Sequence, residues 1–259
     1  MKLSHQSLRR EMDILWILTK KEIILQYKRT SLGILWSLLN PLLLALVYYV
    51  AFNIILGVKI TNFPLFLLSA LFPWTWFSSS VNAATVSLVS NRSLVKKFLF
   101  PKHYLLMASV ISQGIHFLFS IPIIILLVYL YGKTVGVIWF IGVPLLLIIQ
   151  FIITIGASLA VSIINVYFMD FQFIVAFILN MLFWITPIIY RLDSIPETYR
   201  FLFLYMNPLT PLMSSWRELF ISNTIYWSWL AIAFLGSLVI FFIGLLIFRR
   251  LSRRLDEVI

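Results

Sequence analysis

Asn91-Arg92-Ser93-Leu94-Val95-Lys96-Lys97-Phe98-Leu99-Phe100-Pro101-Lys102-His103 is a short basic island between two very long apolar runs. Arg92, Lys96, Lys97 and Lys102 would each cost roughly 2.5–3.5 kcal/mol at a bilayer centre, so the island sits in water or at a headgroup surface. The runs on either side are then membrane spans. Within the island, Leu94, Phe98 and Pro101 lie at near-helical spacing, and Phe98 and Phe100 follow the two lysines. That pattern predicts a short helix with an apolar face, ended by Pro101 and able to dock on another protein. A basic loop that only fixes topology fits the same pattern.

Working outward, the whole chain has the composition of an integral membrane protein. It is 62% hydrophobic and 11% charged over 259 residues, with a mean hydropathy of +1.02, more apolar surface than a soluble core of that size can bury. The aromatic content of 17% exceeds what interfacial belts need. Cysteine is absent, which excludes disulfides and thiolate metal sites. The net charge of +11 lies at membrane edges rather than in a nucleic-acid patch, so no nucleic-acid partner is expected.

The expected architecture is all-α and polytopic, with six transmembrane helices. Residues 1–30 form a cytoplasmic amphipathic interface helix, with Met12, Trp16, Ile23 and Tyr27 on one face and Lys20, Lys21, Lys28 and Arg29 around them. No cleavable signal peptide is expected there. The transmembrane domain occupies 31–248, with spans at about 31–58, 62–90, 104–131, 135–168, 171–190 and 225–248. Pro41 is expected to kink the first span. Pro64 and Pro73 are expected to break the second, and an interfacial piece around Trp139 to precede the fourth at Pro144. Asp170 belongs at a tight turn between spans four and five, because a carboxylate is expensive in hydrocarbon. Residues 191–224 are too short between prolines to span and too apolar for a free loop, so they are expected to form short outward re-entrant helices. Residues 249–259 form a cytoplasmic basic tail.

Orientation follows from the cations. Seven Lys and Arg precede Ser31, four lie in the island and four in the tail, fifteen in all on the inner side. Lys59, Lys133, Arg191, Arg200 and Arg217 fall outside. Both termini are therefore read as cytoplasmic.

No enzyme constellation is present. His5, His103 and His116 are scattered, and there is no His-Glu-x-x-His, Gly-x-Ser-x-Gly or glycine-rich phosphate loop. Any ATP-driven work needs the nucleotide, with its Mg, on another chain. His116, inside the third span, reads as a packed residue before it reads as a proton relay.

Several motifs in order resemble one family: Lys28-Arg29-Thr30-Ser31-Leu32-Gly33-Ile34-Leu35-Trp36 running into Asn40-Pro41-Leu42, Leu71-Phe72-Pro73-Trp74, Asn91 with Phe100-Pro101-Lys102, and Asn165-Val166-Tyr167-Phe168 with Asp170. Pro187-Ile188-Ile189-Tyr190, Asn207-Pro208-Leu209 and Trp216-Arg217-Glu218 continue the series. Together they look like the membrane (permease) subunit of ABC-2 type polysaccharide exporters, which carry O-antigen, capsule or teichoic acid. Met169 departs from the pattern, standing where a basic residue is expected before Asp170.

The resemblance implies an inner-membrane homodimer seated on two copies of an ABC ATPase subunit, exporting a polyprenyl-pyrophosphate-linked polysaccharide among the membrane lipids. It implies no metal and no cofactor bound by this chain. The loop Asn91, Arg92, Lys96, Lys97, Phe98, Phe100, Pro101 and Lys102 is similar to the coupling helix that enters the ATPase cleft. Sugar C–H faces pack on aromatic rings, so the candidate path residues are Tyr48, Tyr49, Phe52, Trp74, Phe77, Phe183, Trp184 and Tyr190. Helix packing and interface anchoring use the same residue types. Lys28 and Arg29 are candidates to hold the pyrophosphate through charge-assisted hydrogen bonds. The competing readings are an ABC-2 exporter of small lipids or drugs, a proton-coupled secondary carrier using His116 or Asp170, and a membrane scaffold.

Overall fold

The computed structural model describes residues 2–28, 30–58, 60–97, 101–253 and 255, with side chains from residue 9 onward, Lys97 excepted. The roles expected of Arg29, Phe98 and Phe100, and of the Lys97 side chain, therefore lie outside the described residues, as does the end of the basic tail.

The described chain is helical. α1 (Lys2–Tyr27) lies along α5 (His103–Leu130), α2 (Trp36–Tyr48) is entered through a 3-10 turn at Gly33–Leu35, and a π-helix follows at Tyr49–Ile55. α3 (Phe63–Ser90) leads into the short α4 (Arg92–Lys97), and α6 (Trp139–Tyr167) turns into α7 (Phe171–Ile185). α8 (Glu197–Met206), α9 (Leu209–Ser222) and α10 (Trp227–Ser252) complete the chain. Among the described residues, four helical stretches are long and apolar enough to cross a membrane: Gly33–Ile55, His103–Leu130, Trp139–Tyr167 and Trp227–Ser252. α3 matches them in length at 28 residues and carries no charge, but serine, threonine and asparagine dilute its apolar character.

α3 and α6 form the centre. α3 packs on α5, α6, α9 and α7, while the most extensive helix pairing joins α6 to α10. That pairing is backbone on backbone. A methyl group added at Gly156 would strike Phe241 Cα, and one added at Gly244 would enter the Gly156 carbonyl. Small residues allow this close approach, which supplies the van der Waals contact that holds helices together in lipid.

Three proline expectations, at Pro64, Pro73 and Pro144, are revised: Pro64 stands in the first turn of α3, where a proline costs no hydrogen bond. α3 runs unbroken through Pro73, α6 runs unbroken through Pro144, and Trp139 begins α6 instead of a separate interfacial piece. Around Pro73, the Ser69 and Thr75 hydroxyls return to the backbone carbonyls of Phe66 and Leu71 at 2.8 and 2.7 Å. Gln150 of α6 donates to the Pro73 carbonyl at 3.2 Å. Neighbouring side chains of this kind make proline tolerable within a buried membrane helix.

The fifth span is also shorter in helix than expected. α7 ends at Ile185 because Thr186, preceding Pro187, is extended at φ −80°, ψ 134°. At about 1.5 Å per residue its 15 residues reach only about 22 Å. Asp170 stands at the N-cap of α7, exposed, at the expected tight turn. In residues 191–224, Asn207-Pro208 separates the exposed α8 from α9, whose residues Leu209 to Arg217 are all buried.

Candidate functional site

The polar residues of the apolar helices converge under α1. One face of α1 remains open, with Met12 69% and Trp16 61% exposed, while Ile23 and Tyr27 are partly buried. Tyr27 meets the His116 ring edge-on at 5.3 Å between centroids. Gln113 Nε2 donates to Gln26 Oε1 at 3.2 Å. His116 Nδ1 lies 3.3 Å from Gln113 Oε1 and 3.5 Å from Tyr27 Oη. An amide oxygen only accepts, so in this arrangement Nδ1 carries the proton and Nε2 is a bare acceptor. Nε2 is buried without a partner among the described residues.

Two cavities join along this line. The first, about 380 Å³, is lined by Tyr27, Thr30, Ser37, Asn40, Thr75 and His116 with the indole of Trp76. The second, about 520 Å³, is lined by Glu22, Asn82, Ser109 and Ser112. Gln26, Ser79 and Gln113 border both. Trp76 is fixed by donating to the Val110 carbonyl at 3.0 Å and by stacking on Phe117 at 5.4 Å. Gly114 makes room for it, because a Cβ there would lie 3.1 Å from the indole. The groove therefore offers hydroxyl and amide groups, with one carboxyl at its end. Burial holds that Glu22 carboxyl above its ordinary range, and Lys21 pulls it the other way.

The expected aromatic path residues largely come together. Tyr48 stacks on Phe183 at 5.8 Å, Phe183 reaches Trp74 at 5.8 Å and Trp184 at 5.6 Å, Trp74 reaches Phe77 at 5.8 Å, and Tyr48 reaches Phe52 at 6.3 Å. This cluster joins the first span to α3 and α7. Trp74, Phe77 and Phe183 are buried inside the chain, so the cluster shows Tyr48, Phe52 and Trp184 to its surroundings. The other two residues stand apart. Tyr49 packs on Phe63 at 6.2 Å, and Tyr190 Oη donates to the Trp184 and Ile185 carbonyls at 3.0 Å, closing the end of α7.

Arg217 completes that closure. Its guanidinium donates to the carbonyls of Ile188 at 2.6 Å, Phe66 at 3.2 Å and Tyr190 at 3.5 Å, and lies 3.7 Å over the Phe66 ring. Thr186, Ile188 and Ile189 are buried beneath it. Irregular backbone at such a place needs protein partners for its carbonyls.

At the basic island, Asn91 ends α3. Its Nδ2 donates to the Ser87 carbonyl at 2.9 Å and its Oδ1 accepts from Lys21 of α1. Val95 is the inward anchor of α4, buried beside Leu88 and Leu105. Lys96 and Pro101 are exposed, whereas Arg92 and Lys102 are half-buried. Lys28 is exposed at the end of α1, next to the groove-lining Tyr27 and Thr30. Sequence reasoning missed Gln26, Ser79, Asn82, Gln113 and Val95 as site residues, and took Asn40 only as part of a family motif and Arg217 only as an outer cation and part of another. The available signal was the recurrence of polar residues inside otherwise apolar helices.

Residues 14–221 match the family of ABC-2 type transporters. The chain is similar to the O-antigen export system permease protein RfbA of Klebsiella pneumoniae, 37% identical over 247 residues and 95% of each chain. It is similar to the protein of the same name from Myxococcus xanthus, 35% identical over 78% of each chain. The polysialic acid transport protein KpsM of Escherichia coli is 26% identical over 88% of this chain and 90% of its own.

Proposed function

The chain belongs to the ABC-2 type transporter family, and on that footing we propose that it is the membrane subunit of an ATP-driven exporter of lipid-linked polysaccharide, of the O-antigen kind. The observation that carries this reading is the 37% identity, over 95% of both chains, to an O-antigen export permease. It acts as a homodimer in the cytoplasmic membrane, with both termini inside and two copies of an ABC ATPase below. Six crossings are made by the first helical span, α3, α5, α6, α7 with its extended continuation, and α10. α8 and α9 form the outward re-entrant pair.

In this reading the lipid-linked glycan enters from the cytoplasmic side near the end of α1. Lys28 and Arg29 meet the pyrophosphate through charge-assisted hydrogen bonds. The hydroxyl and amide groups of the groove under α1 suit sugar hydroxyls, and Tyr48, Phe52 and Trp184 offer flat surfaces to sugar C–H faces. The loop from Asn91 to His103 receives the push of ATP-driven closure. This chain supplies no nucleotide site; ATP and Mg belong to the partner.

The test is removal of the chain from its native cell. Lipid-linked glycan should accumulate on the cytoplasmic side while surface polysaccharide is lost, and the wild-type chain should reverse both. Surface polysaccharide at its normal level would defeat the proposal. An accumulating small lipid or drug in place of a glycan would transfer it to the rival exporter class.

A further inference from the structure

Away from the groove and the aromatic cluster, the start of α5, the middle of α6 and the C-terminal half of α10 leave an open crevice of about 840 Å³. Its floor is α6, through Phe151, Ile152, Ile155 and Leu159. One wall is α10, through Phe241, Leu245 and Phe248, and the other includes Met107 of α5. Its polar lining is Lys102, His103, Arg249 and Ser252, at the starts and ends of helices where the chain meets the inner surface. A second crevice of about 520 Å³ lies against Phe242, Leu245 and Leu246, and ends at Arg249, Arg250 and Arg253. Leu245 and Arg249 border both. Among the described residues, neither crevice is lined by a carboxylate. Glu11 of α1, whose charge acts on His103, is not among the lining residues of either.

We propose that these paired crevices form a binding site for an acidic two-chain phospholipid of the inner leaflet, with its acyl chains along α10 and its phosphate at Arg249. Charge complementarity selects the occupant. Apolar slots that end in clustered cations at the cytoplasmic surface match a diacyl lipid with an anionic head, and a basic pocket between helices on that side is a recognised lipid-head site. Arg is suited to the task because its planar guanidinium pairs with phosphate through two parallel hydrogen bonds. The α6 to α10 contact at Gly156 and Gly244 holds the floor and one wall together, so the site does not depend on a second chain. Pro101, Lys102 and His103 line the crevice and also end the basic island. A bound lipid thus rests against the last residues of the loop expected to meet the ATPase. This site stands independently of what the protein exports.

The experiment is native mass spectrometry of the full-length chain, purified in mild detergent and exposed to an equimolar mixture of phosphatidylglycerol and phosphatidylcholine. Wild type should retain phosphatidylglycerol in preference, and that preference should fall about fivefold for each arginine removed in Arg249→Gln and in the Arg249→Gln, Arg253→Gln pair. Arg249→Lys should keep most of it. Ile155→Trp, which fills the floor without touching charge, should release both lipids. Since Arg249 and Arg253 are exposed, their variants leave the bundle intact and decide the matter even if Ile155→Trp does not fold. Equal retention of the two lipids by wild type would overturn the site. So would a preference that survives the double replacement, a polyprenyl lipid held in place of phosphatidylglycerol, or a crevice covered by another chain and holding no lipid.

Discussion

The first span and α6 are both long, uncharged and apolar enough to cross a membrane, yet the chain uses them in opposite ways. Only 11% of the most apolar stretch of Gly33–Ile55 is buried within the chain, against 56% of the corresponding stretch of α6. Leu43, Leu46, Val47 and Ile54 are all more than half exposed. α6 instead carries buried Gln150, Thr154, Ser158 and Ser162, and pairs with α10 through bare backbone. Hydropathy measures the cost of leaving lipid, which the two share. Residue size and hydrogen-bonding capacity determine which helix becomes the centre of a bundle and which keeps a face for something else.

This contrast can be broken or sharpened by substitution. The largest effect is expected from Gly244→Leu, because the new side chain has no space beside the Gly156 carbonyl. A loss of about 3 kcal/mol or more should appear as failure to recover monodisperse protein in size-exclusion chromatography. Recovery at the wild-type melting temperature would show that the α6 to α10 contact is not tight. Arg217→Met comes next. It leaves the Ile188 carbonyl without its donor, while the Phe66 carbonyl keeps the Ser69 hydroxyl, at about 1–3 kcal/mol for the buried orphan, so the stretch after α7 should become sensitive to protease from the outer side. Unchanged cleavage would mean that the Ile188 carbonyl has another partner.

Gln150→Leu should cost about 1–3 kcal/mol, because Gln150 also accepts from Trp216 Nε1 at 3.3 Å and its loss strands that indole. Thermal melting in detergent measures it, and a neutral result would remove Gln150 from the centre of the fold. The smallest effect on stability is expected at Val47→Trp, within about 0.5 kcal/mol for an exposed position. The same change should reduce the dimer fraction seen by cross-linking if the open face of the first span meets a second copy. Melting that drops as far as for Gln150→Leu would erase the contrast between the two spans.

Much of the fold was legible where chemistry forces a local answer. Asp170 had to leave hydrocarbon and stands exposed at the start of α7; Asn207-Pro208 separates α8 from α9; the basic island follows α3 with Asn91 as its cap. The expectations at Pro73 and Pro144 failed because a proline's cost is set by its neighbours. Ser69, Thr75 and Gln150 surround Pro73 with hydrogen bonds, whereas Pro187 has an extended residue before it and the α7 helix stops. Tyr48, Phe52, Trp74, Phe77, Phe183 and Trp184 were grouped by composition and form one cluster, but their division into buried and exposed members needed the packing. The groove was hardest to foresee. Gln26 lies far in sequence from Gln113 and His116, and only the docking of α1 on α5 makes it their neighbour.

The π-helix at Tyr49–Ile55 bears on how this span tolerates changes of length. A π-turn takes up more residues than the α-turn it interrupts, so the chain carries surplus length just beyond Tyr48. Deleting a single residue there would let the stretch relax into ordinary helix while the stripes on either side keep their register, because the wider turn already holds the extra residue. Tyr48 would stay on Phe183, whereas the same deletion made earlier, in the regular turns of α2, would swing everything before it by about 100°. The first span therefore has one place where its length can change without turning the screw.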